Sequence, residues 1–231
     1  MDRIIVNVPW SVMCLTTRDW DIDWRAQRHG ESLTGVSQSV YSAFPRWIGS
    51  PQAVLTGARL LQWRAIRWQG KGLQAVYRVY MRDPAAVVRA RLAEADGVDA
   101  ATGVPFSNDE LFVGDVGFDY RPFVLAAEAA AAGATSVLVD ASAYPGAVVQ
   151  GMILSHKDWP FGVTSVSEEG GNLRLEVRPG LRAAIAEGDS VHLIPTGLFE
   201  ASEEGMGNPA YGQFAKTSVQ LQLREWLGPG R

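Results

Sequence analysis

The sequence predicts a mainly β protein with a few helices, in which a small closed barrel interrupts a sheet domain that the C-terminal strand completes. Three observations predict it. The first third alternates apolar and polar residues with period two. Five short β-like runs crowd residues 135–194. An isolated alternating run near the C-terminus needs a sheet to join.

From Arg18 to Ala26, Trp20, Ile22, Trp24 and Ala26 fall on one side and Asp19, Asp21, Asp23 and Arg25 on the other, the pattern of a half-buried strand. Trp20 and Trp24 are read as core. His29-Gly30-Glu31 supplies a turn, and Gly35 to Phe44, with Val36, Val40 and Tyr41, reads as a second strand of a meander. Pro45, Gly49 and Pro51 punctuate the next stretch. Thr56 then caps a helix over Gly57 to Gln69, which Gly70-Lys71-Gly72 ends. That helix carries Leu60, Leu61, Trp63, Ile66 and Trp68, apolar around much of its circumference, so a sheet and a neighbouring subunit are expected to share it. Leu73 to Met81 alternates again and gives a third strand.

Residues 84–119 differ: a short helix over Pro84 to Ala95, then a loop rich in Gly, Asp and Asn. From Ala93 to Tyr120 there are seven acids and no base. A loop of that length marks a function or a crossing between domains, and the domain boundary is placed there. After an alanine-rich helical piece over Leu125 to Ala132 come the runs Thr135–Asp140, Gly151–Ser155, Phe161–Ser167, Leu173–Val177 and Ser190–Ile194. Five short strands in so few residues fit a small OB-like β-barrel or a comparable closed sheet, with a small sandwich as the rival. Ser218 to Leu223 alternates Val219, Leu221 and Leu223 against polar partners, and the first domain's sheet is its expected host.

Composition narrows the function classes. The chain has 231 residues, 47% of them hydrophobic, enough to fill a core. Its single cysteine, Cys14, excludes an intrachain disulfide and a cysteine-built metal cluster. The opening residues carry Asp2, Arg3 and Pro9, so no secretory leader is expected. The mild stretch from Phe123 to Val139 holds Glu128 and is too short to span a bilayer, so no membrane insertion is expected. Residues 1–93 hold 13 Lys and Arg against 6 Asp and Glu, and residues 94–231 hold 8 against 19, so the two parts attract each other or neighbouring copies.

Signatures of chemistry are missing. Gln69-Gly70-Lys71-Gly72 lacks the Gly and Ser/Thr of a phosphate loop. Gly35-Val36-Ser37-Gln38-Ser39 fails as a nucleophile elbow at its last position. His29, His156 and His192 have no partners at ligand spacing. Glu168/Glu169 and Glu203/Glu204 precede glycines and read as turn residues, not an acid/base couple. No catalytic residue, cofactor or metal site is predicted. The three aspartates of the first strand suit a solvated face, a cation or the wall of a pore. Of the eight tryptophans, Trp47, beside a Gly-Ser-Pro break, and Trp63 and Trp68 on the helix are candidates for a subunit interface. Trp159-Pro160-Phe161 offers a candidate exposed aromatic platform through Trp159 and Phe161, or a plug at a barrel end.

Trp63-Arg64-Ala65 within a helix that is followed by Gly and an alternating strand, Val104-Pro105-Phe106-Ser107-Asn108-Asp109, the run Ala-Gly-Ala-Thr-Ser-Val-Leu-Val-Asp at 132–140, and Arg178-Pro179-Gly180-Leu181-Arg182-Ala183-Ala184 followed by Gly188-Asp189-Ser190-Val191 together resemble a pattern of long-tailed, siphovirus-like phages. The arrangement is similar to that of distal tail proteins and covers most of the chain. The resemblance implies a belt β-sandwich over 1–119 and 198–231 and an inserted barrel over 120–197. It implies a virion structural protein of the tail tip or baseplate, a homo-oligomer forming a hexameric ring, with three copies as another symmetry that suits a tail tip. The tail-tube protein would lie above and hub or fibre proteins below, with DNA passing through without specific binding. Its place would be the virion tail, and the host cytoplasm during assembly. In such a ring Asp19, Asp21 and Asp23 are the candidate lumen face, where acids would repel DNA phosphates. The alternative is a carbohydrate-binding module acting at a cell surface through the barrel; an enzyme is not expected.

Overall fold

The structure, a computed structural model, describes residues 3–13, 17, 19–31, 37–40, 42, 44–87, 89–99, 102–115 and 117–228. It is mainly β, with 39% strand against 13% helix. Two compact units divide the chain, one of residues 1–79 with 198–231 and one of residues 80–197.

The first unit contains β1 (Ile4–Asn7), α1 (Trp10–Met13), β2 (Trp20–Asp23), β3 (Gln27–Glu31), β4 (Ser37–Val40), β5 (Arg46–Gly49), β6 (Gln52–Thr56), the helix α2 (Gly57–Gly70) and β7 (Ala75–Tyr80). The second contains α3 (Arg89–Ala95) and then β8 (Phe123–Ala126), β9 (Ser136–Asp140), β10 (Ile153–His156), β11 (Trp159–Glu169), β12 (Asn172–Arg178) and β13 (Ser190–His192). The chain returns to the first unit through β14 (Thr196–Ala201), β15 (Lys216–Gln220) and β16 (Leu223–Glu225).

A six-stranded sheet runs in the order β1-β7-β14-β16-β5-β2, and β15 pairs with β6 beside it. The C-terminal segment therefore does join the N-terminal sheet. β16 sits between β14 and β5, matching Leu223 to Ala201 on one side and to Gly49 on the other. The helix α2 lies against β1, β6 and β15. Its inward side buries Leu60, Trp63 and Ile66, while β7 contributes Tyr77 and Val79 and the returning segment contributes Phe199, Val219, Leu221 and Leu223. Thr56 stands at the N-cap with extended backbone, but its side chain makes no capping hydrogen bond. Lys71, at φ 48, ends the helix by donating its N–H to Trp68 O.

Several expectations give way here. Gly49 and Pro51 do not break the chain into loop; they lie in or between β5 and β6. Gly49 pairs with Trp20, and a Cβ on it would meet the Trp20 ring at 2.4 Å, so the missing side chain makes room for Trp20 to lie across the strand toward Phe199, 5.0 Å away between ring centroids. His29, Gly30 and Glu31, expected in a turn, belong to β3, which pairs with β4. Of the strand expected over Gly35 to Phe44, β4 is described, whereas Gly35, Val36 and Tyr41 lie outside the described residues, as do Cys14 and Arg18.

The second unit closes a barrel in the order β10-β11-β12-β9-β8-β13, every neighbour antiparallel. The five runs read in the sequence are all strands, and β8 is a sixth. The bend that closure requires comes from the long β11, whose register against β12 shifts between Val163 and Ser165. Inward residues alternate along the walls, with Val124, Val139, Leu154, Phe161, Leu175, Val177 and Val191 all buried.

The expected helix over Leu125 to Ala132 is absent. Leu125 and Ala126 pair in β8. The backbone N–H of Ala127 donates to Leu138 O, that of Ala130 to Ile185 O and that of Gly133 to Leu181 O. A short alanine run cannot repay helix nucleation when the barrel wall offers these partners. The unit boundary also differs from expectation, falling at Tyr80 and not at residue 119. The Tyr80 hydroxyl donates to Asp119 Oδ2 at 2.5 Å, Arg89 reaches Tyr120 O and Asp119, and Met81 N donates to Pro195 O at 2.9 Å, so residues 80–119 pack with the barrel.

Candidate functional site

Asp21 is exposed on β2, the outermost strand of its sheet, Asp19 is exposed immediately before it, and Asp23 is half-buried. Their oxygens serve local structure: Asp21 Oδ1 accepts from Ile22 N, and Asp23 Oδ1 accepts from Arg25 N while Oδ2 lies 3.7 Å from Arg46 Nε. Among the described residues no group of three or more His, Cys, Asp or Glu side chains is placed to hold a metal. The trio is thus a largely solvated acidic strand edge, as a strand with period-two alternation places it.

The tryptophans divide differently from the sequence reading. Trp47 is buried within its own unit, its backbone N–H held by the Oε2 of buried Glu225 at 3.1 Å. Trp63 is buried too, its indole N–H donating to Gly207 O at 2.7 Å. Neither is available to a neighbour, because the returning C-terminal segment covers both, Trp47 through Glu225 of β16 and Trp63 through Gly207 of the loop before β15. Trp68 is 67% exposed, with the Arg64 guanidinium 4.8 Å above its ring, and Leu61 beside it is 60% exposed. Trp24, expected in the core, is exposed. In the barrel Trp159 is half-buried, but Phe161 is 2% exposed because it points into the barrel interior, so the pair forms no open platform.

The sequence offered no sign of a cavity of about 530 Å³ in the second unit, lined among others by Asp96, Asp119, Arg121, Phe123, Tyr144 and His192. Its polar rim is assembled by hydrogen bonds across the unit. The Tyr120 hydroxyl donates to Asp96 Oδ2, and Tyr80 and Arg89 share Asp119. Burial, then the bond to Asp119, push the Tyr80 phenol up to about 12; burial and Asp96 hold that of Tyr120 higher still. Both hydroxyls therefore keep their protons and act as donors. Thr196, which opens β14, ties the lining residue Arg121 to Asp158 and Ser155. Its hydroxyl accepts from Arg121 Nη2 at 3.0 Å and lies 3.0 Å from Asp158 Oδ1, and its N–H donates to Ser155 Oγ.

His192 stands edge-on to Phe123 at the cavity wall. Burial, then the positive Arg121 and nearby His156, push its imidazole down to about 4, with Asp158 pulling the other way. Above pH 6.5 the ring is neutral in the folded and unfolded chain alike. Between 6.5 and 4 the unfolded chain takes up a proton that the folded chain refuses, so stability falls with pH. The slope from this group is at most about 1.4 kcal/mol per pH unit, less for its partial exposure. Urea denaturation from pH 7 to pH 5 is expected to show a shallower pH dependence in His192→Phe than in the wild type, and an equal slope would contradict a neutral His192.

Three phenylalanines form the other conspicuous surface. Phe106, Phe112 and Phe118 meet edge to face, with ring centroids 4.8 to 5.1 Å apart, yet remain 40%, 45% and 50% exposed, and Val113 at their side is fully exposed. The loop that carries them is fastened by a bridge between Val104 and Phe118 and by Phe106 N donating to Glu110 O at 2.8 Å.

No helix among the described residues is long and apolar enough to cross a membrane. Compared with known proteins, the chain matches no family model and no curated protein.

Proposed function

We propose that the chain is a structural subunit of a phage tail tip, similar to a distal tail protein, whose activity is assembly into a ring around a DNA channel and not turnover of a substrate. The observation that carries the reading is the return of the chain after the barrel. β14 and β16 enter the sheet that also holds β1, β2, β5 and β7, and β15 pairs with β6, so a sheet domain is interrupted by one closed barrel. It is supported by α2, which keeps Leu61 and Trp68 in water on the side opposite its buried Leu60, Trp63 and Ile66. An apolar helix face left in water supports a contact with a partner. Mass photometry of the purified chain, alone and with the tail-tube protein, is expected to show a species of six copies, or of three. A monomer at every concentration and in both mixtures would remove the reading.

A second reading, attachment to a cell-surface glycan, is favoured by the cavity. Tyr144 and Phe123 offer ring faces, and the Asp96 and Asp119 carboxylates offer acceptors to sugar hydroxyls. The full chain on a glycan array tests it, with Tyr144→Ala expected to abolish any retained signal.

A further inference from the structure

The phenylalanine knob and the outer stripe of α2 are opposite in charge and alike in chemistry. The knob lies in residues 93–120, which hold seven carboxylates and no Lys or Arg. The stripe consists of Leu61, Ala65 and Trp68, one face of the helix at spacings of four and three, with Arg64 stacked on Trp68 and donating to the Tyr211 hydroxyl at 2.9 Å. Residues 57–71 hold Arg59, Arg64, Arg67 and Lys71 and no carboxylate; the loop bonded to this face, residues 202–215, adds Glu203 and Glu204, with Glu204 beside Gly72 past the helix's end, so the face keeps a net positive charge.

Both surfaces are ordered before any partner arrives. The knob's rings brace one another and its loop is hydrogen-bonded across its base; the stripe rides on a helix anchored by Trp63. Little ordering entropy remains to be lost on contact. A symmetric contact, knob on knob or stripe on stripe, would set like charges against each other, whereas knob on stripe sets acid against base. A contact between two different patches of the same chain runs head to tail, and it closes into a ring when the rotation per copy permits.

We propose that the Phe106–Phe112–Phe118 knob of one copy docks on the Leu61–Trp68 stripe of the next. The inference rests on the ring reading above and names the surfaces that would join the copies.

The test uses the full chain with Phe112→Ser and Trp68→Ser, both at exposed positions, each checked for an unchanged thermal melt. In sedimentation velocity each variant alone is expected to self-associate at least tenfold more weakly than the wild type. An equimolar mixture of the two is expected to form dimers and nothing larger, because one intact knob then meets one intact stripe. Arg64→Glu and Glu110→Lys are each expected to weaken assembly, and the double variant to recover part of it. Wild-type assembly that both serine variants leave unchanged, or a mixture that stays monomeric, overturns the knob-to-stripe contact while leaving the ring reading in place. A wild type that is monomeric alone and with the tail-tube protein removes both.

Discussion

Ending the chain at Ala215 is expected to unfold the first unit altogether while sparing the barrel. The truncation removes β15 and β16. Without β16, β5 loses its connection to β14, and β2, which is attached only through β5, leaves with it. β6 loses β15, the strand it pairs with along its whole length. The core loses Val219, Leu221 and Leu223, and the Trp47 N–H loses Glu225. Such a loss is comparable to the entire stability of a domain, about 5–15 kcal/mol. The barrel's ring of pairings, in contrast, is complete between Phe123 and His192. Hydrogen exchange is the direct measurement: amides of 46–80 should exchange at the rate of an unfolded chain while those of 153–178 stay protected. Protection persisting in β5 would show that the sheet does not depend on its C-terminal strand.

The second large effect concerns Trp63 and Gly207. Trp63→Ala is expected to cost about 3–5 kcal/mol, the range for emptying a core site of that size. Gly207→Ala is expected to cost about 2–3 kcal/mol, from left-handed backbone and overpacking together. Gly207 sits at φ +63, and a Cβ there would come within 2.7 Å of the Trp63 ring and 2.9 Å of Leu221. The two effects are coupled through one contact. Trp63→Phe withdraws the part of the ring that the new methyl group would strike, so Gly207→Ala should cost roughly 1 kcal/mol less in that background. Chemical denaturation of the four proteins gives the coupling. Strict additivity would mean that the backbone angle, and not the ring, sets the cost.

The parts of the fold that were legible in the sequence are those where one strand face meets the core and the other meets water. Trp20 and Ile22 against Asp21 and Asp23, and Leu175 and Val177 against Arg174 and Glu176, declare their strands by themselves. The helix over 57–70 was equally plain. What stayed hidden depends on partners distant in the chain. Gly49 reads as a break until Trp20 is seen lying over it, and the alanine run reads as a helix until Leu138, Leu181 and Ile185 are seen receiving its N–H groups. Trp47 and Trp63 looked like surface aromatics because their covers, Glu225 and Gly207, lie some 140 to 180 residues downstream. The candidate sites were less legible still. The phenylalanines of the knob are six residues apart in sequence, a spacing with no meaning until the loop folds back on itself. The cavity joins Asp96 to His192 through tertiary contact alone. Of the three interface candidates the structure leaves Trp68 exposed, on the helix face away from Leu60, Trp63 and Ile66, a division that a helix apolar around much of its circumference did not declare.

The hydrogen bond from Met81 N to Pro195 O joins the residue that follows β7 to the one that precedes β14, and those two strands are neighbours in the sheet. The excursion between them therefore leaves and re-enters at a single gate. Tension pulled along the chain from its two ends is carried across that gate by the paired strands and reaches the intervening hundred-odd residues only after the gate has parted. The barrel is mechanically shielded, and a different module of any length with its ends as close together could hang from the same gate without changing how the sheet bears load.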